Sequence, residues 1–280
     1  MISYIKALSK ISKNTIKISN ENILALKSLD RVIAKNVYSP TNYPLANNTA
    51  FDGFALVSKE TKGLKSNKKK NFKIIKTIAA GDNPNFGRYK AGTTIEIMTG
   101  GIVPKPFDSI IPIELTKITT NKNKKPYITI KQKIKKYSHI RFAGSDYKKK
   151  DLVIKKGEII QPKHLMAFST LGIKSILVKK KPKILFISTW SELVKKLQKK
   201  ISPWQVRNSN NDYIIALNNF TQSEIIDGGI IKDDEKNKLK KILKKACSSK
   251  IDIFITSGAV SAGKFDYIPK ITKEIGIKDI

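Results

Sequence analysis

The stretch from Lys250 to Asp266 holds residues well suited to contact an anion. Its apolar run over 251–255 is rich in β-branched and aromatic side chains, which predicts a buried strand. Small residues with two glycines follow from Thr256 to Gly263, and Asp266 precedes a helical pattern. Small side chains let backbone N–H groups approach an anion, and a following helix N-terminus adds favourable partial charge. A tight β-to-α turn uses Gly and Ser for backbone reasons alone, so both interpretations stay open.

Two further polar segments follow predicted strands or open predicted helices. Glu192 lies in the exit loop of one strand, and Asn208, Ser209 and Asn210 open a helix. Ligands bind at the carboxyl ends of parallel strands, so we expect these segments to meet Ser257–Asp266 in one crevice. Two carboxylates with Ser and Thr hydroxyls suit Mg²⁺, which prefers hard oxygen ligands and commonly bridges to phosphates. The sequence has no Walker A lysine motif and no complete G-x-G-x-x-G fingerprint, so a common nucleotide fold is not indicated.

The elements that would position these residues alternate between strand and helix after Pro182. This alternation predicts a parallel sheet covered by helices. Strands are predicted at 184–187, at 225–226 with closure by 227–229, and at 251–255. Helices are predicted to begin at Asn208, to carry Asp233 to Glu235 in a first turn, and to run from Tyr267 to Ile275.

Short strand patterns with turn punctuation dominate the middle of the chain. They extend from Phe72 to Ile113 and return over 126–136, which predicts a small all-β module. Asp52-Gly53 and Thr99-Gly100-Gly101 are turn signals beside this module. A carboxylate or hydroxyl next to glycine can hydrogen-bond a ligand, but the same residues shape ordinary turns. On local grounds, turn formation is the better interpretation of Asp52.

Helical patterns are predicted on both sides of the β module. The clearer of two near the N-terminus begins with capping residues at Ser19–Asn22 and continues as an apolar stripe to Ile33. A second helix is predicted from Pro162 to Leu171, with Gly172 at its end. A short strand over 176–178 follows.

The basic composition invites a nucleic-acid interpretation that the choice of residues disfavours. The formal net charge is +33, and a basic face is the electrostatic footprint of phosphate binding. Only four of the 55 basic residues are Arg, the residue favoured for bidentate readout of bases and phosphates. The lysines are spread along the whole chain, so we rank nucleic-acid binding last.

Cysteine content and hydropathy indicate the compartment. Cys247 is the only cysteine, so no intrachain disulfide can form and a reducing compartment is expected. No apolar run approaches the roughly 20 residues that a membrane helix needs. The N-terminal stretch has no uninterrupted apolar segment of the signal-peptide kind. We therefore expect a cytoplasmic protein with no membrane contact.

Several short segments combine small residues with glycine, a hydroxyl or a carboxylate. They are NTAFDGFA (Asn48–Ala55), AGD (Ala80–Asp82), IMTGG (Ile97–Gly101) with Pro104 and Asp108 after it, RFAGSD (Arg141–Asp146), STWSEL (Ser188–Leu193) and SGAVSAGKFD (Ser257–Asp266). In this order they resemble S-A-M-D-G-Y-A, A-G-D, I-x-T-G-A-x-x-P, R-x-x-G-E-D, S-T-G-D-E-L and S-G-G-V-S-V-G-x-x-D of the molybdopterin molybdenumtransferase family (MoeA-type, with gephyrin E-domain relatives). The resemblance covers nearly the whole chain, and several motifs in order are far more specific than any one of them.

The resemblance implies an α/β plus β fold in a multidomain, elongated chain. A helical or linker domain would comprise 1–44 and 141–180, and a small β domain would comprise 45–140. Residues 181–280 would form a three-layer α/β molybdopterin-binding domain of the MoaB/Mog-like kind. Family members form elongated dimers whose cleft uses both subunits, so a homodimer and a contact with the molybdopterin adenylyltransferase are expected.

The resemblance also implies a reaction: molybdate is inserted into adenylylated molybdopterin, AMP is released, and Mg²⁺ assists. Carried over by position, Glu192 and Asp266 would hold Mg²⁺ and serve the phosphate region. With them, Asp52, Thr99 and Asp146 would act as catalytic residues in a cleft between the β module and the α/β domain. The residues implied in binding the molybdopterin substrate are Ser188, Thr189, Asn208, Ser209, Asn210, Ser257, Gly258, Ser261 and Gly263.

The sequence departs from the family pattern at several of these positions. Trp190 replaces a glycine, Ser191 replaces an aspartate, Asn208 replaces the aspartate of D-S-N, and Ala259 replaces a glycine. Family members continue into a K-P-G-K-P segment and a small C-terminal β domain, whereas this sequence stops at Ile280, so a C-terminally truncated chain is expected. A non-catalytic molybdopterin-binding or scaffold remnant of the family is the alternative.

Overall fold

The computed structural model describes residues 2–65, 67–120, 124–195, 197, 200–258 and 267–276. The chain forms two compact units. The first unit comprises Met1–Lys35, Gly157–Gln161 and Ser175–Ile280, and the second comprises Asn36–Lys156 and Pro162–Lys174. The division into three domains stays a prediction.

The helices and strands of the described residues are as follows. The α-helices are α1 (Tyr4–Lys13), α2 (Pro162–Thr170), α3 (Ser209–Ala216), α4 (Lys236–Ser248) and α5 (Ile268–Glu274). The strands are β1 (Asn20–Leu24), β2 (Val37–Tyr38), β3 (Asn48–Thr49), β4 (Gly53–Leu56), β5 (Lys70–Ile78), β6 (Thr93–Ile97), β7 (Ser109–Pro112), β8 (Ile118–Thr120), β9 (Pro126–Ile130), β10 (Ile140–Arg141), β11 (Leu152–Ile154), β12 (Ser175–Lys179), β13 (Lys183–Thr189), β14 (Leu193–Val194), β15 (Val206–Arg207), β16 (Glu224–Ile231) and β17 (Ile253–Ser257). None of these helices is both long and apolar enough to cross a membrane.

The second unit is built on a six-stranded mixed sheet in the order β7-β4-β6-β5-β9-β8. Strands β5 and β6 run parallel, and the other neighbours run antiparallel. Alternate residues of β4 enter different buried clusters, with Phe54 and Leu56 in one and Ala55 in the other, as the two-residue period of a strand requires. The predicted all-β module is confirmed, although the strand predicted over 126–136 ends at Ile130.

Helix α2 confirms the helix that the Pro–Gly spacing predicts. Pro162 stands at its first position, where the missing N–H costs no hydrogen bond. At its other end Gly172 has a φ of 68°, and the Ile173 N–H donates to the Phe168 carbonyl at 2.8 Å. Glycine ends the helix here because the left-handed conformation carries no penalty without a Cβ.

The helix predicted from Ser19 to Ile33 is wrong. Residues 20–24 form β1, which pairs antiparallel with β12, so that Ile23 lies opposite Ile176. A short 3₁₀ helix, Ala25–Lys27, follows. The ladder with a strand distant in sequence overrides the local helical pattern, since tertiary pairing outweighs propensity.

The first unit contains the parallel sheet that the alternating pattern predicts. Its order is β16-β13-β17, and both pairs run parallel. Helices α4 and α5 contribute to its buried core, in which Ile187 of β13 packs with Leu239, Leu243 and Ile268. The carboxyl ends of β13 and β17 lie side by side, because Ser188 pairs with Ser257.

Two boundaries in this unit differ from the prediction. Strand β16 does not close at residues 227–229 but continues to Ile231, because its register against β13 shifts at this point. A Cβ on Gly228 would lie 2.5 Å from the Ile187 side chain, so the glycine permits close packing of the bulge rather than ending the strand. Helix α4 begins at Lys236, after the acidic residues, and Glu235 closes the preceding turn by accepting the Lys232 N–H at 3.0 Å.

Candidate functional site

Asp52 and Thr99 meet in the second unit. One carboxylate oxygen of Asp52 accepts the Thr99 backbone N–H at 2.6 Å and the Thr99 hydroxyl at 2.8 Å. Both hydrogen bonds favour the charged form, so they hold the pKa of Asp52 below its ordinary value, with the backbone N–H as the larger cause. Asp52 is therefore an anion at neutral pH whose charge stabilises the Thr99 turn.

Strand β3 brings three of the motif segments together around this turn. The Thr49 N–H donates to the Gly101 carbonyl, and the Thr49 carbonyl accepts the Gly100 N–H, both at 3.0 Å. β3 also pairs with β10, which places Arg141 opposite Asn48. The segments that carry Asp52, Thr99 and Arg141 are thus neighbours within one unit.

Asp146 is engaged inside its own motif. Its carboxylate forms an ion pair with Arg141, and the Ser145 hydroxyl donates to it at 3.2 Å. The Arg141 guanidinium lies 5.9 Å from the centre of the Tyr43 ring, and the Asp146 N–H donates to the Tyr43 carbonyl at 3.1 Å. Both charged side chains are exposed, so solvent screening limits the contribution of this ion pair to folding stability to about 0–1 kcal/mol. These contacts give Asp146 a role in shaping its loop.

A cavity of about 330 Å³ lies in the first unit, where β13 and β17 end. Its lining comes from these strand ends, from the β14–β15 ladder and from the start of α3. The lining residues are Thr189, Trp190, Glu192, Leu193, Val206, Arg207, Asn208, Ser209, Asn210, Ser257 and Gly258. The structure therefore brings the three polar segments at the carboxyl edge of the sheet into one concave site.

Hydrogen bonds between the strand ends fix the base of this cavity. The buried Ser188 hydroxyl donates to the Asn208 side-chain oxygen at 3.0 Å, and the Thr189 hydroxyl donates to the Ser257 carbonyl at 3.0 Å. Asn208 is 5% exposed, and its side-chain NH₂ group has no hydrogen-bond partner among the described residues. A buried donor without a partner is costly, which marks this amide as a group able to bind a ligand.

Trp190 is the most conspicuous departure in the cavity. Its indole fills the space beside Gly258, where a Cβ would lie 1.5 Å from the indole Nε1. Its φ of 156° lies in the region that favours glycine, the residue of the family motif at this position. The backbone thus keeps a glycine-like conformation while carrying an aromatic ring into the site.

Ser191 occupies the position of a family aspartate and closes a turn. Its hydroxyl donates to the Asp233 carboxylate at 3.1 Å and accepts the Asp233 N–H at 3.2 Å. An aspartate at 191 would place a second carboxylate against Asp233, and like charges at that distance repel. The serine is therefore compatible with Asp233 in this chain.

Glu192 is the one carboxylate that lines the described part of the cavity. Its backbone carbonyl accepts the Val206 N–H at 3.0 Å, whereas its carboxylate has no hydrogen-bond partner among the described residues. The free carboxylate and the neighbouring amide and hydroxyl oxygens are the hard donors that Mg²⁺ prefers, so the residues fit this ion. Within the described ranges, no group of three or more His, Cys, Asp or Glu residues forms a complete metal site. Ser261, Gly263 and Asp266 lie outside the described residues.

Sequence reasoning missed Arg207, Leu193 and Val206, which also line the cavity. The β14–β15 ladder places them there, with Leu193 opposite Val206 and Val194 opposite Arg207. Arg207 carried a signal, because arginine is scarce in this sequence and this one directly precedes Asn208. The two-residue strands carried none, since they are too short to show a period.

Two family models match the chain. Residues 2–172 match the MoeA N-terminal region (domain I and II), and residues 186–280 match a probable molybdopterin binding domain. The chain belongs to the MoeA family. The fold class inferred from the motifs is confirmed: an α/β plus β chain with a small β module and a MoaB/Mog-like domain.

Relatives of the family show the same similarity along most of the chain. A molybdopterin molybdenumtransferase of Staphylococcus epidermidis is 31% identical over 276 residues, which are 98% of this chain and 63% of that protein. One of Staphylococcus aureus is 31% identical over 89% of this chain and 57% of its own length. A crystal structure of a molybdopterin biosynthesis MoeA protein from Pyrococcus horikoshii has a TM-score of 0.83 and 27% identity, covering 99% of this chain and 67% of the other. This chain thus spans less than two thirds of the length of the molybdenumtransferases that it matches.

Proposed function

We propose that this protein is a molybdopterin molybdenumtransferase, which inserts molybdate into adenylylated molybdopterin and releases AMP. The observation that supports it best is the cavity of the first unit. Three family motifs line it. The lining residues are Thr189, Trp190 and Glu192 of the first motif, Asn208 to Asn210 of the second, and Ser257 and Gly258 of the third. A concave site with a few convergent polar groups is the usual form of a small-molecule site.

The residues of the cavity supply groups suited to a phosphate-bearing substrate. The Asn208 amide would donate to an acceptor of the ligand, because its NH₂ group has no partner among the described residues. Glu192, together with Asp266, would hold Mg²⁺, and the ion would offset the negative charge of the pyrophosphate linkage. Resemblance to the family motifs supports Asp52, Thr99 and Asp146 as further catalytic residues.

The net charge supports the capture of anionic substrates. With 55 basic and 22 acidic residues, the chain carries a formal charge of +33. A field of this sign attracts molybdate and nucleotide without needing a specific pocket for each lysine. The attraction falls with ionic strength, as screening between exposed charges requires.

The proposal extends to assembly and location. A homodimer is supported by the apolar side chains that α1 exposes, among them Tyr4, Ile5 and Ile11, which a second copy would cover. A contact with the molybdopterin adenylyltransferase would deliver the adenylylated substrate directly. A single, exposed cysteine supports a reducing, cytoplasmic setting.

Release of AMP by the 280-residue chain tests the function. The chain is mixed with adenylylated molybdopterin, molybdate and Mg²⁺, and Glu192→Gln is compared with wild type. We expect at least a tenfold lower rate for the variant with unchanged folding. Glu224→Gln is the matched control, since this exposed glutamate at the start of β16 pairs with Lys183.

Two results would count against the proposal. Substrate binding without AMP release would favour the alternative, a non-catalytic molybdopterin-binding scaffold. Equal rates for Glu192→Gln and Glu224→Gln would remove Glu192 from the mechanism.

A further inference from the structure

Trp190 lines the cavity with its aromatic ring, and one edge of the ring packs against the backbone at Gly258. A Cβ added to Gly258 would lie 1.5 Å from Nε1 and 2.0 Å from Cδ1 of the Trp190 indole. Only glycine at position 258 therefore leaves room for the indole. The residue is nevertheless 50% exposed. The indole is therefore packed against backbone on one side and open on another.

The rest of the lining divides into apolar and polar groups. Leu193 and Val206 contribute aliphatic side chains, whereas Asn208 and Asn210 contribute amides. A flat heteroaromatic ring needs this combination, because its faces are apolar and its edges carry hydrogen-bond donors and acceptors. The buried NH₂ group of Asn208, which lacks a partner among the described residues, fits a ring edge or an attached oxygen.

From these contacts we propose that Trp190 is a specificity-determining residue that stacks on the purine or pterin ring of the substrate. The inference rests on the proposed function, because that substrate contains both kinds of ring. Trp190 replaces a family glycine, so this contact would be a property of this chain. A phosphate or sugar without a ring would gain nothing from it.

Packing against the Gly258 backbone accounts for one side of the indole and leaves the other side open. Exposure of an indole face to water is unfavourable, so a ligand that covered this face would be stabilised by the contact. Half of the Trp190 surface is exposed. The backbone φ of Trp190 is 156°, a value that residues other than glycine rarely adopt. A ring ligand would cover the exposed face.

Tryptophan fluorescence provides a test that does not depend on catalysis. The chain has two tryptophans, and Trp204 does not line the cavity, so Trp204→Phe leaves Trp190 as the only indole. The probes are AMP, pterin and ribose 5-phosphate. We expect AMP and pterin to quench Trp190 emission in this variant, and ribose 5-phosphate to bind without comparable quenching.

Calorimetry on Trp190 variants measures the contribution of the ring. Trp190→Gly should weaken AMP and pterin binding about two- to twelvefold, the range that an aromatic pair supports, and leave the affinity for ribose 5-phosphate unchanged. Trp190→Phe should keep most of the affinity. Unfolding midpoints of the variants show whether each one folds as wild type does.

The outcomes separate this inference from the proposed function. AMP release with unchanged ring affinity in Trp190→Gly would overturn the inference and leave the function standing. Ring binding that depends on Trp190, without AMP release, would leave the stacking contact and remove the function. Tighter binding by Trp190→Gly, or no binding of AMP and pterin by wild type, would overturn the inference, since the indole would then block the site or face no ring.

Discussion

The Asp52–Thr99 turn and the cavity around Glu192 use their polar groups in opposite ways. In the turn, the Asp52 carboxylate accepts two hydrogen bonds from Thr99, and its pKa is lowered as a result. In the cavity, the Glu192 carboxylate and the Asn208 NH₂ group have no partner among the described residues. The first carboxylate is bound within its own turn, whereas the polar groups of the cavity leave hydrogen-bonding capacity that a ligand could use.

The difference shows how much a motif residue reveals about function. A carboxylate that is already hydrogen-bonded stabilises its own turn, whatever else it does. A buried donor without a partner carries a cost that a hydrogen bond to a ligand would offset. The cavity of the first unit is accordingly the stronger candidate for substrate contact, and the turn is the stronger candidate for local stability.

The largest expected effect on stability comes from Gly258→Ala, which adds a methyl group to the wall of the cavity. The new Cβ would overlap the Trp190 indole, and the φ of 97° is strained for alanine. Overpacking and backbone strain together should lower the free energy of unfolding by about 2–4 kcal/mol. Urea denaturation measures the loss.

Gly229→Ala is the matched control for that variant. Gly229 has a φ of 82° in the same unit, and no atom lies within 4 Å of its added Cβ. Gly229→Ala should therefore lower the free energy of unfolding only by the cost of backbone strain, about 1 kcal/mol. Equal losses for the two variants would show that the indole does not occupy the space beside Gly258.

Asn208→Ala should have the next largest effect on stability. The Ser188 hydroxyl is fully buried and would lose its acceptor, which should cost about 1–3 kcal/mol. Asn210→Ala changes an exposed amide of the same cavity and should stay within about 0.5 kcal/mol of wild type. A small loss for Asn208→Ala would mean that the Ser188–Asn208 hydrogen bond is not formed in solution.

Thr99→Val should have a smaller effect, confined to the turn of the second unit. The variant removes the hydroxyl hydrogen bond to Asp52 and keeps the backbone one, which is the larger cause of the lowered pKa. The pKa of Asp52, followed by NMR, should therefore rise only part of the way to its ordinary value. An unchanged pKa would show that the hydroxyl does not contact the carboxylate.

The smallest expected effect is the pH dependence of the same turn. Because the folded-state pKa of Asp52 is lowered, its contribution to stability is present above the unfolded-state pKa and decreases as pH falls through the folded-state value. Wild type should therefore lose slightly more stability than Asp52→Asn between neutral and strongly acidic pH. Identical pH profiles would contradict the lowered pKa.

The parts of the fold that obey a local period could be predicted from the sequence. Strands such as β5 and β6, and the parallel sheet of the first unit, follow from alternation and from strand–helix order. The segment over 20–24 could not, because its partner β12 lies more than a hundred residues away along the chain. The spacing of apolar residues within a short segment contains no information about pairing with a strand so distant along the chain.

The candidate site divides along the same physical line. The meeting of Glu192, Asn208 and Ser257 follows from the rule that parallel strands present their carboxyl ends at one edge. The packing of Trp190 on Gly258 is a side-chain contact between distant segments, and no pattern in the sequence encodes it. The Asp52–Thr99 hydrogen bonds join residues 47 positions apart, and they could not be predicted from the sequence either.

A crystal structure of the 280-residue chain with AMP and Mg²⁺ tests the central claim most directly. We expect nucleotide density in the cavity at the ends of β13 and β17, with the Asn208 amide hydrogen-bonded to the nucleotide and the Trp190 ring against the base. Nucleotide bound elsewhere on the chain, with this cavity left empty, would show that the cavity is not the substrate site.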